Sequence, residues 1–210
     1  MPVVTYLSIA LAAYLLGSIP FGFLLVRIFR KEDIRSKGSG NIGATNVIRS
    51  GAKGLGALTF LLDVCKGYLA VLLVGYLAAR IAVPYGNAVA LGAIAAILGH
   101  IYTVWLRFKG GKGVATAFGV FLALSPWAAL ASLAVFAVVF ALSRYVSLAS
   151  IIGAAAFPAF ALLLPHPPYI VWLTAVTFLA PLIIIAKHHE NIGRLLHGTE
   201  YRFGKAKAAA

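Results

Sequence analysis

Three short polar stretches carry the residues best suited to chemistry. The first is KGSGNIGATNVIR, residues 37–49. Gly38, Gly40 and Gly43 permit positive φ and let backbone N–H groups come close to a ligand. Ser39, Asn41, Thr45 and Asn46 add neutral donors, and Arg49 ends the run with a planar fork that matches phosphate. Together they form a candidate anion nest. The second is RFKGGKGVATAFG, residues 107–119, where Lys109, Gly110, Gly111, Lys112 and Gly113 precede a short apolar run. A half-length helix opening on such a loop offers free N–H groups and the positive end of its dipole. It is not a Walker loop, because Gly113 stands where Ser or Thr would hold the metal. The third is HHENIGRLLHGTE, residues 188–200. His188, Asn191 and Arg194 follow i, i+3, i+6, so a continuing helix puts them near one face. His189 and His197 fall off that face and read as interfacial residues.

The rest of the composition narrows the chemistry. Only five acidic residues exist, Glu32, Asp33, Asp63, Glu190 and Glu200. They form no cluster for two metal ions and no zinc motif, so neither a metal nor any other cofactor is expected. A transferase of CDP-activated groups would need an aspartate cluster that is missing. There is no serine elbow. Cys65 is the single cysteine and lies inside an apolar run, so it reads as a small packed residue. A site rich in donors and poor in bases stabilises negative charge and leaves the reactive carbon to an activated substrate.

The elements that must position these groups are membrane helices. The chain has 210 residues, of which 62% are hydrophobic and 11% charged, and a mean hydropathy of +0.97. A water-soluble domain could not cover its surface with so few charges. Recurrent apolar runs of about 18 or more residues predict an all-α polytopic membrane protein, one domain over residues 1–210. Seven crossings are expected at 4–28, 55–79, 86–106, 113–126, 127–145, 147–165 and 169–187. The first is too long for a signal-peptide core and reads as a retained helix. The fourth is short, spanning about 20 Å of a core about 30 Å thick. Ser125-Pro126 turns the chain into the fifth, and Pro165, Pro167 and Pro168 close the hairpin before the seventh.

Arg27, Arg30, Lys31, Arg35, Lys37, Arg49 and Lys53 fill the first connection. Arg107, Lys109 and Lys112 fill the third, Arg144 the fifth, and Lys187, Arg194, Arg202, Lys205 and Lys207 the tail. Only Arg80 lies on the opposite side. The positive-inside rule therefore places the N-terminus outside and the tail in the cytoplasm. The net charge of +13 reads as this bias plus attraction to anionic lipid headgroups, so membrane lipids are expected partners and nucleic acid is not. No obligate protein partner is evident. Inside the bilayer, Asp63 and Lys66 stand i, i+3 and read as a mutual ion pair that anchors the polar loops. His100 ends the third span and Ser147 opens the sixth, near Ser150. All three polar stretches and Ser147 fall on the cytoplasmic side, which predicts one composite anion site.

At these residues the chain resembles the bacterial acyl-phosphate:glycerol-3-phosphate acyltransferases, the PlsY family. Their motif G-S-G-N-x-G-A-T-N-x-x-R is met by residues 38–49. G-H followed by F-x-G-G-K-G-V-A-T is met by residues 99–100 and 108–116. H-x-x-N-x-x-R-L-x-x-G-x-E is met at His188, Asn191, Arg194, Leu195, Gly198 and Glu200. The L-D-x-x-K-G of the second span and R-Y-V-S-L-A-S before the sixth match as well. The resemblance implies acyl transfer from acyl phosphate to the 1-hydroxyl of glycerol 3-phosphate, giving lysophosphatidic acid and phosphate in a bacterial inner membrane. It implies catalytic roles for Ser39, Arg49, His188 and Asn191. Substrate contacts would come from Gly38, Gly40, Asn41, Thr45, Asn46, Lys109, Gly110, Gly111, Lys112, Gly113, Ser147 and Arg194, with glycerol phosphate on the second motif. Asp63, Lys66, His100 and Glu200 would give structural support. His188 is either ligand or base, with ligand preferred, because a substrate phosphate can take the proton. The rival reading is a small transporter or channel for phosphorylated metabolites. Polar groups on one face only and the lack of an inverted repeat count against it.

Overall fold

A computed structural model describes residues 2–81, 83–165 and 171–204. These are helical, with no β-strand among the described residues. The α-helices are α1 (Pro2–Ser18), α2 (Phe21–Arg30), α3 (Ala44–Arg49), α4 (Lys53–Arg80), α5 (Tyr85–Ile101), α6 (Val114–Leu124), α7 (Pro126–Ser143), α8 (Val146–Leu163), α9 (Val171–Ala186) and α10 (His189–Leu196). Single 3-10 turns occupy Ile34–Ser36 and Val104–Leu106. Among the described residues five helical stretches are long and apolar enough to cross a membrane, with α1 and α2 together forming the first. Two shorter apolar helices, Val114–Leu124 and Thr174–Ala186, occupy the expected fourth and seventh crossings. Pro167, Pro168, the start of the seventh crossing, Lys205 and Lys207 lie outside the described residues.

The expected first crossing is not one continuous helix. Pro20 lacks an N–H and its ring clashes with the preceding turn, so α1 ends at Ser18 and α2 starts at Phe21. Two side chains, one following α5 and one on α4, satisfy the carbonyls freed by this break. Thr103 Oγ1 donates to the Ser18 carbonyl at 2.6 Å, and Lys66 Nζ donates to the Ile19 carbonyl at 2.7 Å. Lys66 also pairs with Asp63 Oδ1 at 2.8 Å, so the expected ion pair forms and clamps the first crossing to α4.

Lipid tails offer no hydrophobic reason for helices to associate, so close packing depends on small residues. Gly17 and Gly99 let α1 and α5 touch backbone to backbone: a Cβ on either would strike the Ala96 or Tyr14 carbonyl oxygen. Gly67 and Gly119 do the same for α4 and α6, against the carbonyls of Thr116 and Val64. Buried Val74, Ala93, Ile97 and Val120 fill the centre, and Phe121 of α6 stacks on Phe157 of α8 with centroids 3.7 Å apart. Large apolar residues such as Leu69, Tyr76 and Leu163 face outward, as lipid solvent permits. The short α6, 11 residues long, reaches only about 17 Å at about 1.5 Å per residue. Ser125 then turns the chain and Pro126 opens α7, where its missing N–H costs nothing.

Candidate active site

The loop before α3 is organised by one side chain. Asn46, 2% exposed, accepts from the Ser39 N–H at 2.8 Å. Its amide donates to the carbonyls of Ile34, Lys37 and Asn41 at 3.2, 3.0 and 2.7 Å. These bonds curl the chain through Gly38 and Gly40, with φ of +55° and +71°. Gly43 instead has φ −77°, so positive φ is needed at two of the three expected glycines. Residues 44–49 form α3 rather than continuing the loop. Asn41 Oδ1 accepts from the Gly43 N–H at 2.8 Å, which leaves Gly43, Ala44 and Thr45 at the cavity wall.

The second loop is built differently. The N–H groups of Gly110 and Gly111 are bonded to the carbonyls of Ile101 and His100 at 3.1 and 3.0 Å. A Cβ on Gly110 would fall on the His100 carbonyl oxygen, and one on Gly111 on the His100 ring. Both glycines are therefore clearance for laying the loop on the end of α5, not free donors, which corrects the expected role of their backbone. Gly113 does take φ +85°. It opens α6 without any side-chain cap, and Gly113, Val114 and Ala115 face the cavity.

The third stretch is not a continuation of α9. The chain turns at Lys187 and His188, and His188 stands just before α10. Its Nδ1 meets the Ile184 carbonyl at 2.8 Å. A carbonyl only accepts, so Nδ1 carries the proton and Nε2 keeps a lone pair. Burial, with Lys112 adding to it, pushes His188 down to about 4.

These parts enclose a cavity of about 170 Å³. Ser39, Asn41, Thr45, Asn46, Arg49, Lys112, Gly113, Ser147, His188 and Asn191 all line it, along with Asp63 and His100. The N-terminal ends of α3, α6 and α8 converge there, and His188 and Asn191 bring the start of α10. Each helix start contributes free N–H groups and a positive dipole end. Lys112 hydrogen-bonds Asn191 Oδ1. Burial, helped by the cations Arg194 and Arg49, pulls Lys112 down to about 8. Arg49 is depressed by burial as well.

Glu200 ties the wall together from behind. It accepts from Ser147 Oγ at 2.9 Å, Asn191 Nδ2 at 2.8 Å and Arg194 Nε at 2.7 Å. Burial pulls its carboxyl upward, but these hydrogen bonds outweigh that and hold it below the ordinary glutamate range. Arg194 is directed to Glu200 and is not part of the cavity wall; neither is the exposed Lys109, nor Gly38 and Gly40. Asp63 and Lys66 form their pair at the cavity floor, with His100 Nδ1 3.6 Å from Asp63 Oδ1.

A second cavity of about 100 Å³, almost entirely apolar, shares Phe60, Val114, Phe136 and Ser150 with the first and continues inward to Phe121, Phe157 and Ile184. Nothing in the hydropathy separates Phe60 or Phe136 from lipid-facing residues. Tyr201 was also missed: its ring lies 4.1 Å from the Arg49 guanidinium carbon. Among the described residues no three His, Cys, Asp or Glu side chains group to hold a metal ion.

A family model described as glycerol-3-phosphate acyltransferase matches residues 7–198. A glycerol-3-phosphate acyltransferase of Syntrophotalea carbinolica is 50% identical over 92% of this chain and 95% of its own. One of Methylobacillus flagellatus is 51% identical over 93% and 95%. Two crystal structures of PlsY (YgiH), described as an integral membrane glycerol 3-phosphate acyltransferase, share the fold. Its glycerol 3-phosphate form has TM-score 0.84 at 42% identity, covering 95% of this chain and 96% of that one. Its lysophosphatidic acid form has TM-score 0.82 at 41% identity, with 95% of each chain covered. By sequence along nearly its whole length and by fold, the chain belongs to the glycerol-3-phosphate acyltransferase family.

Proposed function

We propose that the protein transfers a fatty acyl group from acyl phosphate to the 1-hydroxyl of glycerol 3-phosphate, at the cytoplasmic face of a bacterial inner membrane. The products are lysophosphatidic acid and orthophosphate. The observation that carries this reading is the adjacency of two cavities: one that Arg49, Lys112 and helix starts line, and an apolar one sharing four of its wall residues. An acyl phosphate has those two ends. Family membership and the names of the relatives support an acyltransferase over a transporter. The excess of Lys and Arg on one side of the predicted topology supports a cytoplasmic site.

In this reading the start of α3, Ser39 and Arg49 hold the acyl phosphate, and its chain runs past Phe60 and Phe136 toward Phe157. Lys112 and the start of α6 hold the phosphate of glycerol 3-phosphate. Asn191 aligns Lys112, and Ser147 and Arg194 act through Glu200. Asn46, Gly110 and Gly111 shape the loops. The glycerol hydroxyl oxygen bonds to the acyl carbon, and the bond from that carbon to the phosphate oxygen breaks. The hydroxyl proton passes to a phosphate oxygen, and orthophosphate leaves. His188, lowered to about 4, is a poor proton acceptor at neutral pH, so its Nε2 serves as a hydrogen-bond acceptor that orients the hydroxyl. Charge growing on the departing phosphate meets Arg49 and the helix starts, which stabilise the transition state more than the ground state.

The test uses purified protein with glycerol 3-phosphate and either palmitoyl phosphate or palmitoyl coenzyme A. Lysophosphatidic acid and orthophosphate should form one to one from the acyl phosphate alone. Turnover with the thioester only would overturn the donor assignment, and no turnover with either would overturn the reaction.

A further inference from the structure

Arg49 is held in an unusual way for a buried cation. Its side chain is 13% exposed, and the nearest carboxylate oxygen, Glu200 Oε1, lies 3.9 Å away, beyond hydrogen-bond reach. Glu200 has little left to offer, because Ser147 and Asn191 already occupy Oε1 and Arg194 occupies Oε2. Arg49 Nε is buried with no hydrogen-bond partner. What does touch the guanidinium is the ring of Tyr201, with its carbon 4.1 Å from the centroid. Tyr201 is in turn set edge-to-face against Phe203 at 5.1 Å, and Phe203 against Phe140 of α7 at 5.7 Å. The Phe203 N–H donates to the Arg144 carbonyl at 3.0 Å, and Arg202 Nε donates to the Ser143 carbonyl at 3.2 Å. The segment after α10 is thus strapped to the turn between α7 and α8.

A guanidinium makes its hydrogen bonds in its own plane and its aromatic contacts through its faces. A carboxylate partner would consume the in-plane donors that a phosphate needs. An aromatic platform consumes none of them and still fixes the plane. We propose that Tyr201 is a positioning residue for Arg49, holding the guanidinium by its face so that its edge stays available to the phosphate of the acyl donor. This rests on the functional reading above and deepens it. The strap explains how a cation can be rigid and yet unsatisfied until substrate arrives.

The test compares Tyr201→Leu and Tyr201→Phe in the full-length protein, in wild-type and Arg49→Lys backgrounds, with palmitoyl phosphate and glycerol 3-phosphate as substrates. Tyr201→Leu should lower kcat by about three- to thirtyfold, while the KM for glycerol 3-phosphate stays within about twofold. Tyr201→Phe keeps the ring face and should restore most of the lost rate. In the Arg49→Lys background, where no planar fork remains to be held, Tyr201→Leu should cost less than about a further twofold. If thermal unfolding shows Tyr201→Leu to be too unstable, Phe203→Leu removes the ring that buttresses Tyr201 and itself lies 6.0 Å from the Arg49 guanidinium carbon, and it carries the same expectation in both backgrounds. Equal losses for the Leu and Phe variants, or the same fold-loss with and without Arg49, would overturn the positioning role. So would wild-type turnover in Tyr201→Leu. If the wild-type protein makes no lysophosphatidic acid from these substrates, the functional reading falls first and the positioning role with it.

Discussion

The two loops flanking the cavity each carry three glycines and use them differently. In the loop before α3, Gly38 and Gly40 adopt positive φ around the buried Asn46 amide, and the loop is held by that side chain. In the loop before α6, Gly110 and Gly111 have ordinary φ and are needed because the chain lies directly on the carbonyl and ring of His100. The first loop is held mainly by the hydrogen bonds of one side chain; the second is laid on the end of α5 by backbone hydrogen bonds and close contact with His100. At Gly38 and Gly110 alike a Cβ is not tolerated, and the residue type is the same. It does not say whether the reason is a backbone angle or a neighbouring atom.

That contrast sets the order of expected damage. Gly110→Ala puts a carbon onto the His100 carbonyl oxygen, and backbone on both sides must move. It should cost more than about 4 kcal/mol, seen as loss of folded protein or a collapse of Tm. Asn46→Ala strips the first loop of its organiser, leaving the Ser39 N–H and several carbonyls short of partners. Its cost should be about 2–4 kcal/mol, with folded protein recoverable and turnover strongly reduced. A tolerated Gly110→Ala beside an unfolded Asn46→Ala would reverse the assignment of contact and hydrogen bonding to the two loops.

Both loops contribute to one cavity, and much of that was legible beforehand. Ser39, Asn41, Thr45, Arg49, Lys112, Gly113, Ser147, His188 and Asn191 do meet there. Polar groups in a chain this apolar have little alternative use, so their type and the side of the membrane predicted for them point to a common site. Lys109 and Arg194 do not line the cavity, and charge alone does not reveal that one faces outward and the other is held by Glu200. The break at Pro20 was readable from proline chemistry, yet the length of the apolar run concealed it. The apolar slot was not readable at all: Phe60, Phe136 and Phe157 have the same hydropathy whether they face lipid or line a cavity. Tyr201 was hidden because its role depends on the tail folding back over Arg49.

The second loop can be probed without disturbing its packing through Lys112. Lys112→Ala should raise the KM for glycerol 3-phosphate ten- to a hundredfold, about 1.5–3 kcal/mol for one charge-assisted contact in a partly dry site. The wild-type pH profile adds a sharper check. Burial lowers Lys112 to about 8, so its charge is present below that pH and lost as pH rises through it. The kcat/KM for glycerol 3-phosphate should therefore fall above pH 8 in the wild-type protein, since this ratio reports the free enzyme. Lys112→Arg should move that limb beyond the measurable range, because a guanidinium keeps its proton. An unchanged limb in Lys112→Arg would assign it to another group.

The smallest effect is expected at His188, which faces both loops across the cavity. Its Nδ1–H is committed to the Ile184 carbonyl, and burial holds the ring neutral with a pKa of about 4. His188→Gln keeps an amide donor for that carbonyl and a carbonyl oxygen that can accept from the glycerol hydroxyl. As an orienting ligand, His188 should be replaceable within about tenfold in kcat/KM, roughly 1.4 kcal/mol. As the proton acceptor it would not be, and a loss of about a hundredfold or more would contradict the transfer of the proton to phosphate. Stability offers an independent reading. A ring lowered from 6.5 to about 4 binds fewer protons in the folded state than in the unfolded one. Its contribution is therefore fully present above about pH 6.5 and is lost as pH falls toward 4. The wild-type Tm should decline across that window more steeply than that of His188→Gln, which has no proton to take up. Parallel declines would mean that the imidazole is not held neutral, and that the neutral acceptor assigned to the glycerol hydroxyl is the wrong species.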